Sequence, residues 1–242
     1  MSSLDTTLQI SRLFLATLGT RLFMHCEDRI PRQGAVLVVS NHRSFLDPIL
    51  LTAALGRPIR FACHHYMGQV PIMRDLVKTL GAFPLDKPGQ GQQQFFQQAI
   101  ALLQRQESVG VFPEGAEPMV KFTEPDRVGH FHRGFAHLAL RAPIQDLLVL
   151  PVAIAAFEER SLGSQIPLRF LSLFDPSEPL FNQPGSHPLV FYKRVNVMIG
   201  RPYWITHTHR QQYEGKQAKA AVNDLNNYCQ AEIANLLHQG CF

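Results

Sequence analysis

A rhythm of short, wholly apolar runs set between helix-period segments constrains this chain more than any other feature. Residues 35–39 form a compact apolar run behind Gly34, and 147–155 form a longer one broken only by Pro151. Runs of this length without polar alternation predict strands buried on both faces. Shorter strand candidates fall at 60–63, 82–85 and 109–112. The stretch 189–199 predicts a strand pair or one long strand ending at Gly200-Arg201-Pro202. Helical spacing appears at 92–105 and 135–140, and again through Ala218, Ala221, Val222, Leu225, Cys229, Ile233, Leu236 and Leu237. Pro48 inside a start and Gly56 past an end bracket a helix over 48–55, with Asp47 expected as its cap. Strands alternating with helices predict an α/β fold: a single layered domain whose central, mostly parallel mixed sheet is flanked by helices. The ends of that sheet have room for antiparallel members. At 242 residues, 45% hydrophobic and 17% charged, the chain can bury one large core or at most two small ones.

The N-terminus carries Leu8, Ile10, Leu13, Phe14, Leu15, Leu18, Leu22 and Phe23, which predict an amphipathic helix over residues 1–28, ahead of a main domain over 29–242. Arg12 and Arg21 leave eight uncharged residues between them. A spanning helix needs roughly 20. Two readings of the segment stay open: a helix lying in a membrane interface, or one docked on the protein's own core. A formal net charge of +4 fits anionic partners such as phospholipid headgroups, CoA phosphates or nucleic acid. No aromatic-basic run or recognition-helix signature supports nucleic acid. Cys26, Cys63, Cys229 and Cys241 form no C-x-x-C pair, and scattered thiols without a secretory signal predict a reducing, cytoplasmic setting. The histidines of 63–65, 130–132 and 207–209 lack partner carboxylates or thiols at zinc-site spacing, so no metal is expected.

Chemistry concentrates in Ser40-Asn41-His42-Arg43-Ser44-Phe45-Leu46-Asp47-Pro48, between a buried strand and a helix start. On a continuous helix, five residues would turn His42 about 140° away from Asp47. A loop entering the helix at Asp47 lets the carboxylate reach the imidazole instead. One ring nitrogen is then fixed and the other is left to take a proton from a hydroxyl. Two plainer roles compete: Asp47 as a helix cap, and His42 as a loop histidine satisfied by backbone. No serine or cysteine has a nucleophile-elbow context, so no covalent enzyme intermediate is expected.

Four ordered blocks add to this. They are 41–48 (Asn-His-Arg-Ser-Phe-Leu-Asp-Pro), 81–87 (Gly-Ala-Phe-Pro-Leu-Asp-Lys), 112–116 (Phe-Pro-Glu-Gly-Ala) and 149–152 (Val-Leu-Pro-Val), with Phe131-His132-Arg133-Gly134 between the last two. In order and spacing they resemble the glycerolipid acyltransferase family, whose members acylate lysophosphatidate or glycerol 3-phosphate and carry an H-x4-D motif. The resemblance runs from about residue 31 to 202. It implies that His42 deprotonates the acceptor hydroxyl, that Asp47 orients it, and that the acyl group comes from acyl-ACP or acyl-CoA with no further cofactor. It implies an acceptor site from Lys87, Glu114, Gly115 and Arg133, with 1-acylglycerol-3-phosphate as the expected lysolipid. It also implies peripheral attachment to the cytoplasmic face of a membrane.

The sequence departs from the family at three places. Glu117 stands where the family's third block has a phosphate-binding arginine, Lys87 replaces an arginine, and His64 occupies the place of a lysine that steadies the oxyanion. A protonated His64 can still donate to an oxyanion. Glu117 keeps open an acceptor without a phosphate, and the family pattern alone also leaves open a thioester hydrolase or an inactive lipid-binding protein.

Overall fold

The computed structural model describes residues 3–63, 82–84, 91–115, 117–120, 124–167 and 186–240. Among these the chain runs α1 (Ser3–Thr17), β1 (Arg21–His25), β2 (Val36–Ser40), α2 (Asp47–Leu55), β3 (Ile59–Cys63), β4 (Phe83–Pro84), α3 (Gly91–Gln104) and β5 (Ser108–Val111). It continues through α4 (Glu117–Val120), α5 (Gly134–Arg141), β6 (Leu147–Pro167), β7 (Ser186–Ile199), β8 (Tyr203–Ile205), α6 (His207–Glu214) and α7 (Ala218–Gly240).

The described strands form one sheet in the order β1-β7-β6-β2-β5-β3-β4, with β8 also against β6. β2 runs parallel to both β5 and β6, and β3 parallel to β4 and β5. β7 and β8 run antiparallel to β6. The result is the mostly parallel mixed sheet that the apolar runs predict. β2 is buried on both faces because helices cover both. Leu37 and Val39 face the layer that includes α3, α5 and α7, while Val36 and Val38 face α1 and α2. The stretch 189–199 lies within one long strand, and 147–155 begins a strand that is longer still.

The N-terminal segment corrects one expectation. The helix does not reach residue 28 but stops at Thr17, and Leu22 and Phe23 belong to β1, paired in register with Val195 and Asn196. Gly19 causes the stop. At φ +70° it takes the left-handed turn that side-chain-bearing residues resist, while Gly19 N–H returns to Ala16 O and Thr20 N–H to Leu15 O. α1 buries Thr7, Ser11 and Leu15, a stripe at four-residue spacing, and packs along α2. A flanking stripe of Ile10, Leu13 and Phe14, continued by Leu18, stays exposed. No helix among the described residues is long and apolar enough to cross a membrane.

The β6–β7 hairpin carries the sheet beyond its parallel centre. The last β2–β6 pair is Ser40 with Val152, yet β6 runs on to Pro167, so the hairpin rises past the C-terminal end of β2. Val152, Ile154 and Ala156 alternate regularly into the α2-side core. The register then shifts around Phe157 and Glu158, a bulge of the kind that re-aims side chains. It turns Phe157 and Glu158 outward and brings Glu159, not Glu158, to the face above α2.

Candidate active site

Residues 41–46 leave the C-terminal end of β2 as a turn that closes on itself before α2 begins. Asn41 anchors its first step by a reciprocal pair with β6: Asn41 Nδ2 donates to Ile154 O (3.0 Å) and Ile154 N–H donates to Asn41 Oδ1 (2.8 Å). Ser44 anchors the middle, its hydroxyl donating to Val190 O at 2.6 Å.

Asp47 sits in the first turn of α2 but does not cap it, which corrects the expectation for that residue. The cap position is Leu46, and the Asp47 carboxylate folds back over the preceding turn. Oδ2 accepts from the amides of Arg43 (2.7 Å) and Ser44 (2.8 Å) and lies 2.8 Å from His42 Nδ1. Oδ1 accepts from the Tyr192 hydroxyl at 2.6 Å. A carboxylate only accepts, so His42 donates to it through Nδ1, and in the neutral imidazole Nε2 is the nitrogen left to accept a proton. Asp47 is 0% exposed, whereas the His42 side chain keeps 16% of its surface open. The carboxylate is dry and the imidazole reachable.

The ring plane of His42 is set by stacking. Phe112 lies parallel to it at 4.1 Å and 13°, and Phe61 stacks on Phe112 at 5.2 Å and 10°. Gly110 makes room for Phe61, since a Cβ there would fall 2.2 Å from Phe61 Cε1.

Glu114 secures the backbone of the same residue. Its Oε1 accepts from His42 N–H (3.0 Å) and its Oε2 from Gly129 N–H (2.6 Å), so both oxygens hold main chain. Burial pushes its carboxyl above the ordinary range, and the hydrogen bonds from Gly129 and His42 oppose that shift. Gly115 turns the chain at φ +67°, donating back to Phe112 O at 3.0 Å. His132 N–H donates to Pro113 O at 2.8 Å, stapling this turn to the segment that carries Arg133, which is exposed at the start of α5. His42, Asp47, Glu114 and Gly115 therefore form one connected unit, with Arg133 on the adjoining loop. Lys87 and His64 lie outside the described residues. Glu117 opens α4 and is exposed. Among the described residues no group of three histidine, cysteine or acidic side chains is placed to hold a metal ion.

Three supporting residues carry no signal in the sequence. Tyr192 is fully buried on β7, its hydroxyl pushed well above the ordinary range by burial and by the Asp47 charge, so it stays a donor. Glu159 forks onto Arg43, with Nε and Nη2 each donating at 2.6 Å. Burial alone would weaken the Arg43 charge, but the Glu159 carboxylate more than restores it. Phe112 falls inside the third of the four blocks, yet nothing there marks it as the floor under an imidazole.

The family described as Acyltransferase matches residues 21–155, more than half of the chain, and this protein belongs to it. A protein named "Probable 1-acyl-sn-glycerol-3-phosphate acyltransferase" from Mycoplasma pneumoniae is 28% identical over 153 residues, 57% of this chain and 52% of the relative. The chain thus spans about half the length of that curated relative. The crystal structure of the 1-acyl-sn-glycerophosphate acyltransferase PlsC from Thermotoga maritima superimposes with a TM-score of 0.62 at 15% identity. That match covers 97% of this chain and 78% of PlsC, and it establishes a shared fold.

Proposed function

We propose that this protein moves a fatty acyl group from an acyl thioester, acyl-CoA or acyl-ACP, to the free hydroxyl of a lysolipid, with 1-acylglycerol-3-phosphate as the acceptor. The observation that carries the reading is a partly open imidazole whose Nδ1 is held 2.8 Å from a dry carboxylate. In the step proposed, His42 Nε2 takes the hydroxyl proton as the oxygen attacks the thioester carbonyl carbon. The tetrahedral intermediate collapses with cleavage of the carbon–sulfur bond, and the imidazolium returns its proton to the departing thiolate. No covalent enzyme intermediate is needed. The name of the Mycoplasma relative supports the acceptor, and Arg133 beside the Glu114 turn supports a phosphate. Lys87 belongs to the same proposed acceptor site, and His64 to the support of the oxyanion. A bilayer surface, reached from its cytoplasmic face, is the proposed setting because a lysolipid lives there and α1 exposes Ile10, Leu13 and Phe14.

The test is incubation of the purified protein with acyl-CoA or acyl-ACP and a panel of lysolipids, read by product mass. Phosphatidate formation from lysophosphatidate, well above diacylglycerol formation from monoacylglycerol, is the expected result. Equal turnover of the two removes the phosphate from the assignment and favours the neutral acceptor that Glu117 keeps open. Free fatty acid released without any acceptor makes the protein a thioester hydrolase.

A further inference from the structure

On the outer side of the hairpin lies a groove of about 510 Å³ lined by Leu18, Arg21, Glu158, Arg160, Lys193 and Arg194, among others. Its cations come from three strands. Arg21 opens β1 directly beside Arg194 of β7, and Arg194 pairs across with Glu158 of β6. Arg160 pairs with Phe191, one position before the residue that reaches Asp47. Like charges set side by side on adjacent strands destabilise a sheet. Among the described lining residues Glu158 is the one carboxylate, and Lys193 takes it at 2.9 Å. That bond, with the nearby Arg194 and Arg160 charges, holds the Glu158 carboxyl below its ordinary range. Four cations against one carboxylate leave an excess of three positive charges. An arrangement that costs the sheet stability and leaves charge unanswered is built for an external anion.

Apolar side chains frame the same place. Leu18 lines the groove and also ends the exposed stripe of Ile10, Leu13 and Phe14 on α1. Phe157, 42% exposed, lies under the Arg194 guanidinium at 4.7 Å. Cations bordered by exposed aliphatic and aromatic groups match a bilayer, in which phosphates lie directly above acyl chains. A soluble phosphate compound would leave that apolar border without a partner. We propose that the groove seats the phosphate headgroup of an anionic phospholipid, while the α1 stripe enters the acyl region beneath it. Tyr192 lines the groove and holds Asp47, so the lipid would dock beside the catalytic turn. The proposal deepens the membrane reading above and does not depend on which acceptor is acylated.

The experiment is co-sedimentation of the full chain with phosphatidylcholine vesicles, with and without phosphatidylglycerol. The variant is R21Q/R160Q/R194Q, which spares the Lys193–Glu158 pair and touches only exposed side chains. Binding to phosphatidylglycerol vesicles should fall on the order of 100-fold, at roughly 1 kcal/mol per basic residue near an anionic surface. Binding to pure phosphatidylcholine should change little. The matching R21K/R160K/R194K variant should bind within a few-fold of the parent, separating lost charge from damaged fold. Leu13→Ser with Phe14→Ser should weaken binding to both vesicles, with a loss that persists in high salt. Undiminished binding of the glutamine variant to phosphatidylglycerol overturns the proposal. So does release of the parent by millimolar inorganic phosphate at constant ionic strength, which would mark a site for soluble anions. Binding is read without turnover, so failure of the groove and failure of the acyltransferase reading stay distinct.

Discussion

The Tyr192 hydroxyl meets Asp47 Oδ1 at 2.6 Å across 145 residues of chain, in a part of the core that water does not reach. That bond fixes the rotation of the carboxylate, and through Oδ2 it fixes His42. Tyr192→Phe keeps the ring and strips the donor, leaving Oδ1 dry and without this partner. A stability loss of about 1–3 kcal/mol is expected. Because Tyr192 is proposed to act through Asp47 and not on substrate, kcat should fall with both KM values unchanged. A Tyr192→Phe enzyme with normal kcat and a lowered melting temperature would leave the bond a purely structural role.

His42→Ala should remove acyl transfer by about 10²–10⁴-fold while the protein stays folded, since the imidazole is partly exposed and its loss opens no deep cavity. Asp47→Asn should damage both activity and stability. An asparagine can keep its oxygen on the Arg43 and Ser44 amides only by turning its NH2 to the Tyr192 hydroxyl, which must then accept where it now donates, and the charge that holds His42 is gone. Activity and melting temperature measured together separate the two substitutions, and near-normal turnover in folded His42→Ala overturns the general-base assignment.

Much of the site is legible in the sequence because His42 and Asp47 lie in one turn, where strand, loop and helix signals are all local. The Asp47 cap misleads for the same reason. Asp-Pro at a helix start ordinarily caps forward, and only the backward fold of residues 42–46 shows the carboxylate serving the preceding turn. Tyr192 and Glu159 are illegible. Glu159 reaches Arg43 only because a bulge shifts the register after Ala156, and no residue pattern announces that slip. The α1 boundary fails because Leu22 and Phe23 extend an apolar spacing that Gly19 interrupts. Their strand exists only through pairing with β7.

Glu114→Gln tests the second support through pH. A carboxyl raised by burial gives stability that is full below its ordinary value of 4.5 and is lost as pH rises through the raised one. Glutamine does not titrate, so the melting temperature of the variant relative to the parent should improve as pH rises from 4.5. A constant deficit should underlie that trend. The carboxamide nitrogen cannot accept, which leaves the His42 or Gly129 amide unanswered at about 1–3 kcal/mol. A difference that is flat with pH would mean that Glu114 titrates alike in the folded and unfolded chain.

Gly110→Ala acts on the imidazole from two rings away. The new methyl meets Phe61, itself buried at 2% exposure, so the ring has little room to swing aside. Overpacking of this kind costs about 1–3 kcal/mol. Phe112 should shift with Phe61 and carry His42 out of line, lowering kcat in a protein that still folds. Full activity would show that the stack does not position the base.

The hairpin also sets an order of events during synthesis. The stretch matched by the family ends at residue 155, before either Glu159 or Tyr192. A nascent chain therefore displays the His42–Asp47 turn long before the side chains that steady it exist. At roughly 5–20 residues per second, the 145 residues from Asp47 to Tyr192 take on the order of 10–30 seconds to emerge. Until then Asp47 lacks its tyrosine and Arg43 lacks its counter-ion, so the surroundings of the proposed general base are complete only after β7 has left the ribosome.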